Sequence, residues 1–150
     1  MRAVVQRVTE ARVRVGDRVT GEIGDGLLVL VGIARDDGPA DVRYVAAKVR
    51  DARLFQGGAG KPMDRSVADV GGGVLLVSQF TLYGDLRKGR RPSFDDAAKP
   101  DEARALYEDL VRELRAVPLP VATGEFQAMM RVELINDGPV TVLIDSKRQF

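Results

Sequence analysis

The sequence predicts a single α+β domain spanning residues 1–150, with two helices packed on a largely antiparallel, barrel-like sheet. Three observations carry that expectation. Segments near both ends alternate apolar and polar residues, as half-buried strands do. Two short runs, residues 27–33 and 74–77, are apolar throughout, as expected of strands covered on both faces. Two longer stretches space their apolar residues at the helical interval.

In chain order, Ala11-Arg12-Val13-Arg14-Val15 alternates as a strand, and Gly16-Asp17 turns it into a second strand running through Ile23. Gly24-Asp25-Gly26 is a further turn before the apolar run from Leu27 to Ile33. Residues 34–39, with Asp36, Asp37, Gly38 and Pro39, lead into a helix whose Val42, Val45, Ala46 and Val49 fall at i, i+3, i+4 and i+7. The glycine-rich stretch from Gln56 to Gly73 reads as loop. Val74 to Val77 then forms a buried strand that ends abruptly in the polar pair Ser78-Gln79. After a charged loop over residues 83–99, Pro100 opens a second helix with Ala103, Leu106, Tyr107, Leu110, Val111 and Leu114 on one face; Pro118 and Pro120 end it. Two closing strands, Met129 to Ile135 and Val140 to Ile144, flank Asn136-Asp137-Gly138-Pro139.

Composition excludes several chemistries. Cysteine and histidine are both absent, which removes thiolate nucleophiles, disulfides, the usual base near neutral pH and the commonest metal ligand. Neither a metal nor an organic cofactor is expected. Gly57-Gly58-Ala59-Gly60-Lys61 fails as a phosphate loop, because Phe55 stands where the first glycine belongs and Pro62 where Ser or Thr follows the lysine. The acid pairs Asp36-Asp37 and Asp95-Asp96 sit in loops, where aspartate commonly caps or turns. No apolar run approaches the roughly 20 residues of a membrane span, and the start of the chain lacks a signal-peptide core. A cytoplasmic protein without a membrane partner is expected. Its net charge of +1 announces no nucleic-acid binder by itself, although 18 of its 23 basic residues are arginine.

Three segments invite a functional reading. Ser78-Gln79-Phe80-Thr81 presents polar side chains and backbone N–H groups where a buried strand ends, a common place for a binding site and equally for simple capping residues. Thr81 is its one plausible oxygen nucleophile, and no histidine is available to activate it. Arg87-Lys88-Gly89-Arg90-Arg91 carries four charges that suit an RNA backbone. The alternative is a solvated loop shaped by pairing of Arg90 or Arg91 with Asp85, Asp95 or Asp96. Asn136 to Pro139 reads as a hairpin turn. A cis Gly138-Pro139 bond there would turn two carbonyls in nearly the same direction, ready for an ammonium group.

The strings SQFTLYGD (78–85), GRRPSF (89–94) and NDGPVT (136–141), with QRV near the start, resemble the D-aminoacyl-tRNA deacylase family nearly end to end. The resemblance implies hydrolysis of the ester bond of D-aminoacyl-tRNA, and of glycine mischarged on tRNA, by a homodimer that binds the acceptor end and no DNA. It implies that Gly138-Pro139, cis, reaches into the partner's pocket beside Ser78, Gln79, Phe80 and Thr81. There the Gly-Pro carbonyls receive the substrate amine and leave no room for an L side chain. Thr81 acts either as nucleophile or, with Phe80, through backbone N–H groups while the terminal 2′-hydroxyl of the tRNA assists; the missing histidine favours the second. Gln79 would orient the terminal adenosine or wall the pocket. Arg7 would brace the partner's Gly-Pro loop, and Arg87, Lys88, Arg90 and Arg91 would meet the tRNA. The rivals are a non-catalytic RNA-binding module and a small-molecule hydrolase of D-amino acid esters or peptides without tRNA, against which the lack of an activated nucleophile argues. Two departures from the family pattern stand out: Gln127 replaces a small residue after Thr123-Gly124-Glu125-Phe126, and the segment 61–66 looks one residue longer, with Asp64 in place of asparagine.

Overall fold

A computed structural model describes all residues from Met1 to Phe150. Six strands and two helices follow in the order β1 (Arg2–Val15), β2 (Arg18–Ile23), β3 (Gly26–Gly32), α1 (Pro39–Asp51), β4 (Gly73–Ser78), α2 (Pro100–Arg115), β5 (Val121–Thr123) and β6 (Arg131–Asp145). They build one mixed sheet curled into a nearly closed barrel. β1 pairs antiparallel with β2, β3 and β6, whereas β4 runs parallel to both β3 and β5. Each parallel step is bridged by a helix, since parallel neighbours need a crossover that a tight turn cannot supply. The antiparallel majority and the two-helix layer follow the expected class.

The sheet edges β2 and β5 approach each other without pairing. Gly21 makes this possible, because a Cβ there would lie 2.3 Å from the Thr123 carbonyl oxygen. Arg18 and Glu125 form an ion pair of 3.0 Å across the same seam. The sequence does not announce β5: three residues between a proline and a glycine are too few to show a period. Its backbone position is nevertheless fixed, with Val74 N–H donating to Pro120 O at 2.8 Å and Gly124 N–H to Leu76 O at 3.0 Å.

Two cores share this sheet. Val8, Ala11, Val13, Leu28, Leu75 and Val77 fill the barrel interior. The larger core lies between the sheet and the helices, and joins Ala3, Val5, Val29, Val31 and Leu76 to Val42, Val45, Val49, Tyr107, Leu110 and Leu114. Both helices begin at a proline and carry their predicted apolar faces into this layer. Tyr107 donates its hydroxyl to Leu76 O at 2.9 Å, satisfying a polar atom in the core. No helix is long and apolar enough to cross a membrane.

The long strands β1 and β6 explain two differences from the sequence reading. Because side chains alternate across a strand, one extra residue transfers every later side chain to the other face. β1 slips register between Val8 and Glu10. Ala3 and Val5 therefore face the helices, while Ala11 and Val13 face the barrel interior. That change of phase hides the first half of β1 from a period-two search. β6 makes the matching switch at Asn136 to Val140: Val132 and Leu134 pack into the barrel, and Val140, Val142 and Ile144 pack on the helix side. Residues 136–139 are thus not a hairpin turn between two strands. They form a wide bulge inside one strand, four residues of β6 lying between the partners of Gln6 and Val8.

Candidate active site

At the end of β4, Ser78 pairs with Val31 of β3, and Gln79 N–H extends the ladder by one bond to Val31 O at 2.7 Å. The sheet then stops. Residues 80–83 wind into a single 3₁₀ turn, closed by Leu82 N–H to Gln79 O (3.2 Å) and Gly84 N–H to Thr81 O (2.9 Å). The N–H groups of Phe80 and Thr81 open that turn, so neither has an acceptor within it. Gly32 lets the turn sit tight on β3, since a Cβ there would stand 3.0 Å from both Gln79 O and Leu82 Cβ. Arg2 braces it from below: its guanidinium lies 4.6 Å over the buried Tyr83 ring and donates to Leu82 O at 3.2 Å. Burial pushes the Tyr83 hydroxyl well above its ordinary pKa, so it stays neutral.

The Thr81 hydroxyl has one side-chain partner, the amide of Gln79, which donates to it. No carboxylate or amine reaches it, so nothing raises its nucleophilicity. Two surface clefts of about 320 Å³ and 300 Å³ lie elsewhere, the first against α1 and α2 and the second beside Arg2, Arg35 and Lys147. Neither includes a residue from 78–81 or 136–140.

The bulge in β6 is held by side chains that replace the lost ladder. Asn136 Nδ2 donates to Arg7 O and to Val140 O, each at 2.9 Å. The Arg7 guanidinium donates to Leu54 O at 2.7 Å and to Asp137 O at 3.3 Å, and pairs with the Asp137 carboxylate at 3.2 Å. Within the chain these bonds tie Arg7 to its own Gly-Pro loop. Asn136, which the sequence suggested only as a turn former, is the residue that ties both ends of the bulge. The Gly138-Pro139 peptide bond is cis. Gly138 has a φ of +125°, and a Cβ there would meet Val140 Cγ2 at 2.8 Å and an Arg7 nitrogen at 3.1 Å, so only glycine fits.

The structure does not bring the two motifs together within one chain. Ser78 stands level with Val31, Ala3 and Ile144 across the sheet, whereas the bulge lies opposite Arg7, four residues further along β1. With about 3.3 Å per residue and about 4.8 Å per strand, the separation is roughly 15–20 Å.

In the basic loop Asp85 pairs with Arg87, at 2.6 Å, and not with Arg90 or Arg91, the two arginines that the solvated-loop alternative offered. Hydrogen bonds from the Arg87 side chain and its backbone N–H hold the Asp85 carboxyl at about 2. Asp85 and Ser93 exchange backbone hydrogen bonds of 2.8 Å and 2.9 Å and close the loop's neck. Lys88, Arg90 and Arg91 are exposed and make no ion pair. Of the two departures from the family pattern, Gln127 accepts a hydrogen bond of 3.1 Å from Arg104, whose guanidinium covers Phe126. Asp64 pairs with Lys61 at 2.7 Å and fills the space left by Gly57.

Fold and site define a class: a barrel with two helices on one face, whose candidate site offers backbone donors and neutral polar side chains in place of an ionisable pair. Relatives place it more narrowly. A sequence model of the family described as D-Tyr-tRNA(Tyr) deacylase matches residues 4–145. D-aminoacyl-tRNA deacylases of Anaeromyxobacter dehalogenans and Syntrophobacter fumaroxidans are 60% and 57% identical over 150 residues, each alignment covering 100% of both chains. Two solved structures are similar in fold. A c-Myc DNA unwinding element binding protein superposes with a TM-score of 0.92 at 38% identity, covering 97% of this chain and 98% of its own. A probable eukaryotic D-amino acid tRNA deacylase superposes at 0.80 and 18% identity, covering 95% and 97%. This chain belongs to the D-Tyr-tRNA(Tyr) deacylase family.

Proposed function

We propose that the protein is a D-aminoacyl-tRNA deacylase, a cytoplasmic enzyme that hydrolyses the ester joining a D-amino acid to the 3′ end of tRNA. The observation that carries this reading is identity of 57–60% to relatives of that name along the whole chain. Within that reading, Phe80 and Thr81 bind the ester carbonyl through their free N–H groups. As water attacks and the carbonyl oxygen gains charge, these donors stabilise it without any change of protonation. The 2′-hydroxyl of the terminal adenosine supplies the polar group that the protein lacks. Gln79 orients Thr81 and the adenosine, and Ser78 lines the floor.

Chirality is read by Gly138 and Pro139 of a second subunit, whose carbonyls accept the substrate's α-ammonium. With amine and ester both fixed, an L side chain points into backbone and a D side chain points out. Glycine, which has no side chain, passes the same filter. The separation of the two motifs in one chain supports a dimeric site: a substrate amine and ester lie a few ångströms apart, so a pocket using both needs two chains.

Deacylation of D-tyrosyl-tRNA and L-tyrosyl-tRNA by EDTA-treated protein tests this directly, with cleavage of the D ester alone expected. Failure to cleave either ester would overturn the reading in favour of a non-catalytic RNA-binding module.

A further inference from the structure

The charged loop carries an apolar feature that neither ester chemistry nor phosphate binding uses. Phe80 is 55% exposed, and Phe94 and Leu86 beside the loop's neck are also open to solvent. The Phe80 and Phe94 rings meet edge to face, 5.0 Å apart at 65°. Such a pair hides an edge of one ring and a face of the other and leaves flat ring surface uncovered. Its position is fixed. The Asp85 and Ser93 backbone bonds clamp the chain on either side, and Gly84 makes room for Phe94, whose Cε1 would lie 3.1 Å from a Cβ at that position.

Two neighbours say what covers this surface. Lys88, Arg90 and Arg91, in the loop that the Asp85–Ser93 neck closes next to Phe94, are exposed and free of ion pairs. Phe80 itself belongs to the turn whose Phe80 and Thr81 backbone receives the ester in the proposed enzyme. An aromatic surface beside a polycationic loop and a 3′-terminal ester has the make-up of a single-strand nucleic-acid site, where bases stack on rings and cations track the phosphates.

We propose that the Phe80–Phe94 step is a stacking platform for one unpaired base of the substrate RNA, upstream of the terminal adenosine, with Lys88, Arg90 and Arg91 holding the adjoining phosphates. The inference rests on the deacylase reading for its choice of RNA end. It makes the platform a binding element that extends recognition beyond the aminoacyl-adenosine. Phe94 is the ring to change, because Phe80 also supplies a reacting-site N–H.

The experiment uses an uncharged acceptor-stem hairpin with a single-stranded 3′ end, carrying 2-aminopurine at each unpaired position upstream of the terminal adenosine in turn. Wild-type protein is expected to quench one of these positions. Phe94→Ala should abolish that quench and weaken binding about tenfold, Phe94→Leu should behave like Phe94→Ala, and Phe94→Tyr should restore both. Absence of quenching at every position, or quenching by Phe94→Leu equal to wild type, overturns the platform. A shift of Phe94→Ala to monomer in sedimentation also overturns it, and makes a second copy of this chain the occupant. Hydrolysis of D-tyrosyl-tRNA, measured alongside, separates the two ideas: hydrolysis without quenching leaves the deacylase and removes the platform, and quenching without hydrolysis does the reverse.

Discussion

The sheet is interrupted twice at places that matter, and the two interruptions are built in opposite ways. At 136–140 the strand bulges, and polar side chains take over from the lost ladder: Asn136 donates to Arg7 O and Val140 O, and Arg7 donates to Asp137 O. After Ser78 the strand simply stops, and the N–H groups of Phe80 and Thr81 are left without acceptors in their turn. The first region is closed by polar side chains and suits a rigid element presented to another molecule. The second is open at the backbone and suits reception of an electron-rich atom. A hydrolase without histidine or cysteine needs both, because neither rigidity nor backbone donors depend on an ionisable group.

Substitutions that break the closed region are expected to have the largest effect. Gly138→Ala places a Cβ against Val140 and Arg7 in a backbone region reserved for glycine. Displacing reacting groups by about 1 Å can cost about 100-fold in rate, so kcat/KM for D-tyrosyl-tRNA should fall by about that factor with the circular dichroism spectrum intact. Arg7→Ala removes the ties to Asp137 and Leu54 but leaves Asn136 in place. A fall of about tenfold and a lower Tm are expected, consistent with loss of charged hydrogen bonds worth about 1.5–3 kcal/mol; unchanged values would mean that Asn136 alone sets the bulge.

In the open region the prediction runs the other way. Thr81→Ala removes a hydroxyl that no base activates and preserves the backbone N–H, so less than a tenfold loss in kcat is expected. A loss of about four orders of magnitude in folded protein would instead make the hydroxyl a nucleophile. The smallest effect concerns the neck of the basic loop. Asp85 has a folded pKa of about 2 against an ordinary 3.8, so its contribution is full above about pH 4 and is lost as pH falls through about 2. Hydrogen exchange at the Arg87 amide should therefore change across that acid window, and Asp85→Asn should remove the dependence.

How far the chain can be read in advance varies with the length over which a signal repeats. α1 and α2 are legible because each repeats its apolar spacing over three or more turns. The runs at 27–33 and 74–77 are legible as buried strands because their apolar content is continuous, as at Leu27, Leu28 and Val29, all fully buried. β5 is not, being three residues long. Nor is the single strand through residues 131–145, since Asn136-Asp137-Gly138-Pro139 is as good a turn signal as any, and only pairing with β1 decides between turn and bulge. In the candidate site, Ser78 to Thr81 stands out at a strand end, whereas the bonding of Arg7 and Asn136 depends on residues about 130 positions apart.

The sequence by itself determined the helices, the buried strands, the absence of histidine and cysteine chemistry, and the motifs that mark the family, because each of these is local or compositional. Tertiary structure alone decided where those pieces meet. It brought the sheet edges together at Gly21 and Thr123, switched the inward-facing sides of β1 and β6 together, tied Arg7 to Asp137, and held Ser78 to Thr81 apart from Gly138-Pro139. The physical reason is that register and pairing are choices among backbone partners of nearly equal local preference, and burial of two separate cores across the whole sheet selects one of them.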